Sequence, residues 1–406
     1  MSSRYVTFSA VVLALAAPGC APADAGEEGE EGEDIGSISQ PVMNGTDVDA
    51  ANNPGVAALF HQTSRPCSAT RIDREGWYLT AAHCLSDQNY NPLPPSGLWL
   101  ADRVDAGLYP PPDARQVQQA VMHPDESVDL ALVFAPGGGP VTNLPALWLA
   151  PPGDLIGQNL RCYGYGRFAE TAEPDVDTGA SGAGWLRTAT LMMDWAGVGQ
   201  YTVRSNDAGQ ILGRGDSGGP CFTNRLFLIS GGVPFFQLYN FNFQTGVHWT
   251  SNLRTSSRDV AVQEHAGWIS ENIGWLYIQR MTKRGPLYLD VQMGNAAAGT
   301  PVWSWGLNDS SAQHWRYDHA ARRIRNENGK CLALLWDSPA NGTPVGMRDC
   351  DGSAAQRWSF TSTLAIQNAN GKCLDVPNDD PAEGVPLHIY DCNDTFAQRW
   401  VASGAP

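Results

Sequence analysis

Charge is scarce in this chain, and positive charge is the scarcer sign. Only 17% of residues are charged, and 42 Asp and Glu stand against 26 Lys and Arg, a net charge of −16. A uniformly acidic chain repels phosphate backbones and anionic lipid alike, so neither nucleic acid nor an anionic membrane is expected as the main partner. Long apolar runs are missing too: the run from Val6 to Ala17 is too short to span a bilayer permanently. No Cys-x-x-Cys pair marks a zinc site, and neither metal nor cofactor is expected. Amphipathic helical periodicity is absent from most of the chain, which excludes a helical bundle.

What the chain does hold is glycine, proline, tryptophan and cysteine. Its 406 residues suffice for two or three domains with real cores. Short apolar runs at Gly55–Phe60, Gly76–Thr80, Leu98–Ala101 and Leu130–Phe134 are separated by Gly and Pro clusters, the pattern of an all-β sandwich or barrel. Of nine cysteines, eight, from Cys67 to Cys392, are pairable, and the ninth, Cys20, lies far upstream, a count that fits an oxidising compartment. Residues 1–20 read as a secretory signal peptide: Arg4, an apolar run, then small residues. Two readings of Cys20 stay open, lipid modification as the only membrane attachment or plain cleavage nearby. Residues 21–41 are acidic and glycine-rich and cannot form a core, so they read as a tether or pro-segment.

Three stretches carry chemistry. Gly213-Arg214-Gly215-Asp216-Ser217-Gly218-Gly219-Pro220 sets a serine among glycines, which let a backbone turn tightly and bring bare N–H groups near a ligand. A hydroxyl is a poor nucleophile without a base. Thr80-Ala81-Ala82-His83-Cys84 ends an apolar run in an imidazole able to take that proton. Asp129-Leu130-Ala131-Leu132 opens another run with a carboxylate able to fix the imidazole tautomer. Each alone is more simply a glycine-rich turn, a strand-end histidine and a loop acid.

Together, in this order and at spacings of 46 and 88 residues, they resemble the trypsin/chymotrypsin family of serine endopeptidases from about residue 42 to 273. The resemblance implies two six-stranded antiparallel barrels, with Ser217 as nucleophile, His83 as base then acid, Asp129 as the orienting carboxylate, and the N–H groups of Gly215 and Ser217 as oxyanion hole. It implies a Cys67–Cys84 bridge beside the histidine. Cys162 and Cys221 are each displaced by two residues from the usual positions, in compensating directions, which keeps an antiparallel register and predicts a second bridge. Val42 resembles a mature N-terminus whose freed ammonium would pair with Asp216. Pro41 stands where a basic residue is usual, so a trypsin-like activator is not expected. The specificity pocket is expected at Ile211 and Leu212, with no acid and hence an apolar preference. The family's Ser-Trp-Gly substrate-binding strand is not recognisable, and Gly231 to Phe236 stand in its place; a closing helix is expected with Val262, Ala266, Ile269 and Ile273 on one face, capped by Ser256 or Ser257 and ended by Gly274.

The remainder is a threefold repeat. Gln313-His314-Trp315, Gln356-Arg357-Trp358 and Gln398-Arg399-Trp400 recur at 43 and 42 residues. Cys331–Cys350 and Cys373–Cys392 each span 19 residues, and Tyr288 with Leu307 replaces them in the first copy, where apolar contact is expected instead. One copy cannot bury a core, but three can close around an axis. The repeat resembles the ricin-type β-trefoil lectins. Sugar sites are implied in the third copy at Asp375, Tyr390, Asn393 and Gln398, and in the first at Asp290, Trp305, Asn308 and Gln313, an aromatic face for the ring and acid or amide groups for its hydroxyls. The second copy, with Ala333, Arg348 and Asp351, lacks the set. The Gln and Trp of each copy are first of all fold residues.

The resulting expectation is an all-β protein: a trypsin-like double barrel at 42–274 followed without linker by a β-trefoil at 275–406. It would be a secreted or surface-anchored peptide hydrolase acting on a protein or peptide and held on glycans. The alternative is a glycan-binding adhesin with an inactive protease-like half.

Overall fold

A computed structural model describes residues 42, 44–61, 64–87, 91–107, 110–138, 144–166, 184–213, 215–230, 236–251 and 256–404. The signal-peptide, lipidation and tether expectations lie outside them. Alternating apolar residues become strands where expected: Val56–His61, Trp77–Thr80, Leu98–Ala101 and Ala131–Phe134. They join Ser64–Arg71, Arg115–Gln116 and Gln119–Met122 in a seven-stranded antiparallel sheet. Its two edge strands are consecutive in the chain. Between them Val117 donates to the Leu98 carbonyl (3.0 Å) and Gln118 to that of Phe134 (2.8 Å), so one bent segment ties both edges.

The second barrel is a closed ring of six strands: Pro220–Ser230, Asn159–Gly164, Arg187–Gly197, Gln200–Arg204, Ser256–Ala261 and Phe236–Ser251, which pairs back to the first. Closure leaves no sheet edge to satisfy. Cys162 faces Cys221 directly across the ladder and bonds to it, as the compensating displacement predicts. Bridges Cys67–Cys84, Cys331–Cys350 and Cys373–Cys392 also form.

One expectation needs correction. Ser256 and Ser257 do not cap the helix. They lie in the strand Ser256–Ala261, whose pairing with Gln200–Arg204 outweighs their capping tendency, and the α-helix runs from Ala266 to Ile273 after a 3-10 turn. Ala266, Ile269 and Ile273 are on its buried face, Val262 is buried in the 3-10 turn before it, and Gly274 ends it at a φ of 102°. Residues 231–235, which stand in place of the family's substrate-binding strand, lie outside the described residues, and the strands on either side pair from Pro220↔Val247 to Ser230↔Phe236. The segment that runs beside the serine turn is Val247-His248: His248 accepts from Gly218 N (3.0 Å) and donates to Gly219 O (2.8 Å). In the first trefoil copy Tyr288 is buried and packs edge-on to Tyr277, and Leu307 is 46% exposed.

Three similar sets of strands follow the helix, and the last strand, Val401–Ser403, pairs back onto the first, Tyr277–Thr282. The recurring side chains make recurring bonds. Trp315, Trp358 and Trp400 donate indole N–H to the carbonyls of Leu289, Leu332 and Leu374 at 2.8, 2.8 and 3.1 Å. Gln313, Gln356 and Gln398 are fully buried and accept from the backbone N–H of Asn308, Asp351 and Asn393. A buried amide or indole needs such partners, which is why these residues recur. The two parts share one sheet and one core. Ala402 pairs with Leu147, whose strand Ala146–Leu147 runs parallel to the strand carrying His248. A single apolar cluster reaches from Leu79 through Ile269 to Trp315.

Candidate active site and candidate sugar site

His83 lies in the 3-10 turn Ala82–Leu85 that ends the strand Trp77–Thr80. Asp129 immediately precedes Leu130, whose side chain is buried. Both oxygens of Asp129 accept from His83, Oδ1 from its backbone N at 2.8 Å and Oδ2 from Nδ1 at 2.6 Å. An ionised carboxylate only accepts, so the proton sits on Nδ1 and Nε2 is left as the basic nitrogen. The imidazole is 36% exposed and the carboxylate 11%, a base open to a ligand on a shielded anchor.

The serine turn is fixed from several sides. Gly215 and Gly218 adopt φ values of 96° and 82°, which glycine reaches without strain. A Cβ on Gly218 would lie 2.1 Å from the Ser68 carbonyl oxygen, so no larger residue fits. The Ser217 carbonyl accepts from Ser68 N at 2.8 Å and lies 3.6 Å from Cys84 Sγ, which is itself 3.8 Å from His83 Nε2. Ser217 and His83 therefore touch the same sulfur. Among the described residues, the Ser217 hydroxyl makes no hydrogen bond to His83. The amides of Asp216, Gly218 and Gly219 donate to Gly213, His248 and Asp216, whereas those of Gly215 and Ser217 have no acceptor among the described residues. The potential metal-ligand clusters, Cys67–His83–Cys84 and Cys162–Cys221–Asp259, are each built on a disulfide and offer no thiolate.

In the third trefoil copy Asp375, His388, Tyr390 and Asn393 line a cleft of about 450 Å³. Asp375 accepts from Gln398 Nε2 (2.9 Å) and is bonded to His388 Nε2 (2.8 Å), while Tyr390 is 40% exposed. Asp375 is 6% exposed and both its oxygens are bonded, and the first copy holds its carboxylate in the same way with other partners. Asp290 is 3% exposed and both its oxygens are taken, by Trp303 Nε1 at 2.6 Å and Asn308 Nδ2 at 3.1 Å. Trp305 stacks on Trp303 at 4.7 Å, and Gln313 donates to Gly306. In the second copy Arg348 is tied to Asp337, and Ala333 is buried.

A family model described as Trypsin matches residues 42–248. The chain belongs to the trypsin family. A second model, the ricin-type beta-trefoil lectin domain, matches residues 277–400, so this trypsin-family chain is fused to a ricin-type lectin domain. Kallikrein 1-related peptidase b22 of Mus musculus is 29% identical over 119 residues, 29% of this chain and 42% of the mouse protein. Kallikrein 1-related peptidase b26 and epidermal growth factor-binding protein type B, also from Mus musculus, are each 28% identical over 120 residues, 29% of this chain and 43% of each mouse protein. The match thus spans less than half the length of these relatives.

The remaining residues singled out in the trypsin-family part are buried. Asp216 is inaccessible, accepting from Gly166 N (3.0 Å) and Gly213 N (2.8 Å). Gly164 makes room for it, since a Cβ there would stand 1.9 Å from its Oδ1. Burial pushes the Asp216 carboxyl up to about 8, against the two backbone donors, which pull it down. Val42 is fully buried in the second barrel core, with Leu212 in the same cluster. Ile211 is 1% exposed, and Leu212 accepts at its carbonyl from the Ser257 hydroxyl at 3.5 Å. Sequence reasoning missed Ser68, His248 and Asp259. None belongs to a motif, and each acts across the ladder on residues far away in the chain.

Proposed function

We propose that this chain is an exported serine endopeptidase whose trefoil holds it on glycans. The observation that carries the reading is the His83–Asp129 contact beside the serine turn, with the base exposed and its anchor shielded. Ser217 Oγ attacks a peptide carbonyl as His83 Nε2 takes its proton. Asp129 holds the imidazolium that forms. Charge developing on the carbonyl oxygen is received by the N–H groups of Gly215 and Ser217. The C–N bond then breaks, His83 returns the proton to the leaving amine, and water attacks the acyl-enzyme by the same route.

Cleavage before Val42 would free an ammonium to pair with the buried Asp216 carboxyl. Pairing there would lower the Asp216 pKa and order the neighbouring oxyanion turn, which makes Val42 and Asp216 an activation switch. The bridges fit an oxidising compartment outside the cytosol. In the third copy Tyr390 offers a face for a sugar ring, and Asp375 and Asn393 offer acceptor and donor groups for its hydroxyls.

The secreted form beginning at Val42 is expected to hydrolyse a protein substrate and Ser217→Ala to be inert. On a glycan array both forms are expected to bind alike, and Asp375→Ala to lose binding. The adhesin reading is favoured by the missing Ser217–His83 hydrogen bond. It wins if the Val42 form binds glycans yet cleaves nothing.

A further inference from the structure

Ser68 belongs to the strand Ser64–Arg71 of the first barrel, yet its bonds reach into the second. Its side chain is fully buried. The single hydroxyl proton goes to the Gly215 carbonyl at 3.1 Å, and a lone pair receives the Tyr165 N–H at 3.0 Å. Its backbone N–H goes to the Ser217 carbonyl at 2.8 Å, and its own carbonyl accepts from Thr80 Oγ1 at 2.8 Å. One residue thus uses every polar group it has. The two serine-turn residues it grips, Gly215 and Ser217, are the two whose amides have no acceptor among the described residues. The packing leaves little slack: a Cβ on Gly219 would stand 3.3 Å from the Ser68 Cβ.

We propose that Ser68 is a positioning residue for the oxyanion hole. Its hydroxyl fixes the Gly215–Asp216 peptide and thereby aims the free amides of the turn before any charge develops. This rests on the endopeptidase reading above. Preorganised dipoles stabilise charge without reorganising during the reaction, and a carbonyl held from the opposite barrel is one way to obtain them. Ser68→Ala keeps the backbone bond to Ser217 but leaves Gly215 O and Tyr165 N–H without a partner in a dry place.

The test uses the full chain beginning at Val42 and a peptidyl trifluoromethyl ketone labelled with ¹³C at the carbonyl. Ser217 Oγ adds to that carbon to form a hemiketal, its proton passing to His83, with no leaving group. The ionisation of the hemiketal hydroxyl, followed by NMR, reports the strength of the oxyanion hole. In Ser68→Ala it is expected to move up by about one pH unit, and kcat for a peptide ester to fall about tenfold with KM unchanged, less than the ~10²–10³ cost of losing a direct donor. Ser68→Gly, with room for a bridging water, is expected to fall between the two and carries the same comparison if Ser68→Ala does not fold. Ser68 is only structural if the variants melt earlier while the hemiketal titration and kcat stay put. No adduct in the unmutated protein would instead overturn the endopeptidase reading, and this proposal with it.

Discussion

Two histidine–aspartate pairs stand close to the same serine turn, and they differ in almost everything except chemistry. His83 and Asp129 meet at 2.6 Å with 36% and 11% of their side chains exposed. His248 and Asp259 face each other across adjacent strands at 3.2 Å, with 2% and 0% exposed. The first pair can reach a ligand. The second cannot, and its backbone is spent on Gly218 and Gly219. A proton acceptor is useful to catalysis only where a substrate can arrive, whereas a buried pair cross-links strands at a desolvation cost that only a partner offsets.

Substitutions should split the pairs cleanly. His83→Ala is expected to lower turnover by about 10⁴-fold or more while the melting temperature hardly moves, read by ester hydrolysis and calorimetry. His248→Ala should do the reverse in kind. It strands a buried carboxylate at a cost of about 3–5 kcal/mol, and thermal unfolding should shift down by roughly 10 °C, with slow turnover surviving at low temperature. If His248→Ala abolishes turnover without touching stability, the contrast between the pairs fails.

In the trefoil the contrast lies around the carboxylate rather than in it: Asp375 and Asp290 are both buried with both oxygens bonded, but Asp375 lines a cleft beside the exposed Tyr390. Asp375→Ala is expected to weaken glycan binding more than tenfold, a loss of about 1.4 kcal/mol or more. Asp290→Ala should leave binding alone but lower stability by about 1–3 kcal/mol, because Trp303 Nε1 and Asn308 lose their acceptor. Titration calorimetry on each variant would reveal the reversed pattern if the first copy were the working one.

The last effect concerns Asp216 in the uncut chain. Its folded pKa, about 8, lies above the unfolded value of 3.8, so the native state holds a proton that the unfolded state releases. That contribution favours folding fully below about pH 4 and is lost as pH rises through about 8. Relative to Asp216→Asn, the uncut wild type should therefore lose melting temperature steadily over this interval, and the form beginning at Val42 should not. Equal pH slopes in all three would remove the proposed switch.

Contiguous chemistry was legible in the sequence, and action across strands was not. His83 and Asp129 announce themselves because a reacting residue and the backbone that holds it are neighbours in the chain. The trefoil was legible because Gln and Trp must repeat wherever the same buried bonds repeat. Ser256 and Ser257 misled because a serine caps a helix only if no ladder claims it first. Ser68 was invisible because its partners lie 147 and 97 residues away.

A fluorophosphonate probe read by peptide mass spectrometry tests the central claim most directly, applied to the form beginning at Val42 and to its His83→Ala variant. The account predicts stoichiometric labelling on Ser217 in the first and a loss of labelling rate of orders of magnitude in the second. Ser217 left unlabelled, or labelled equally fast without His83, would contradict it.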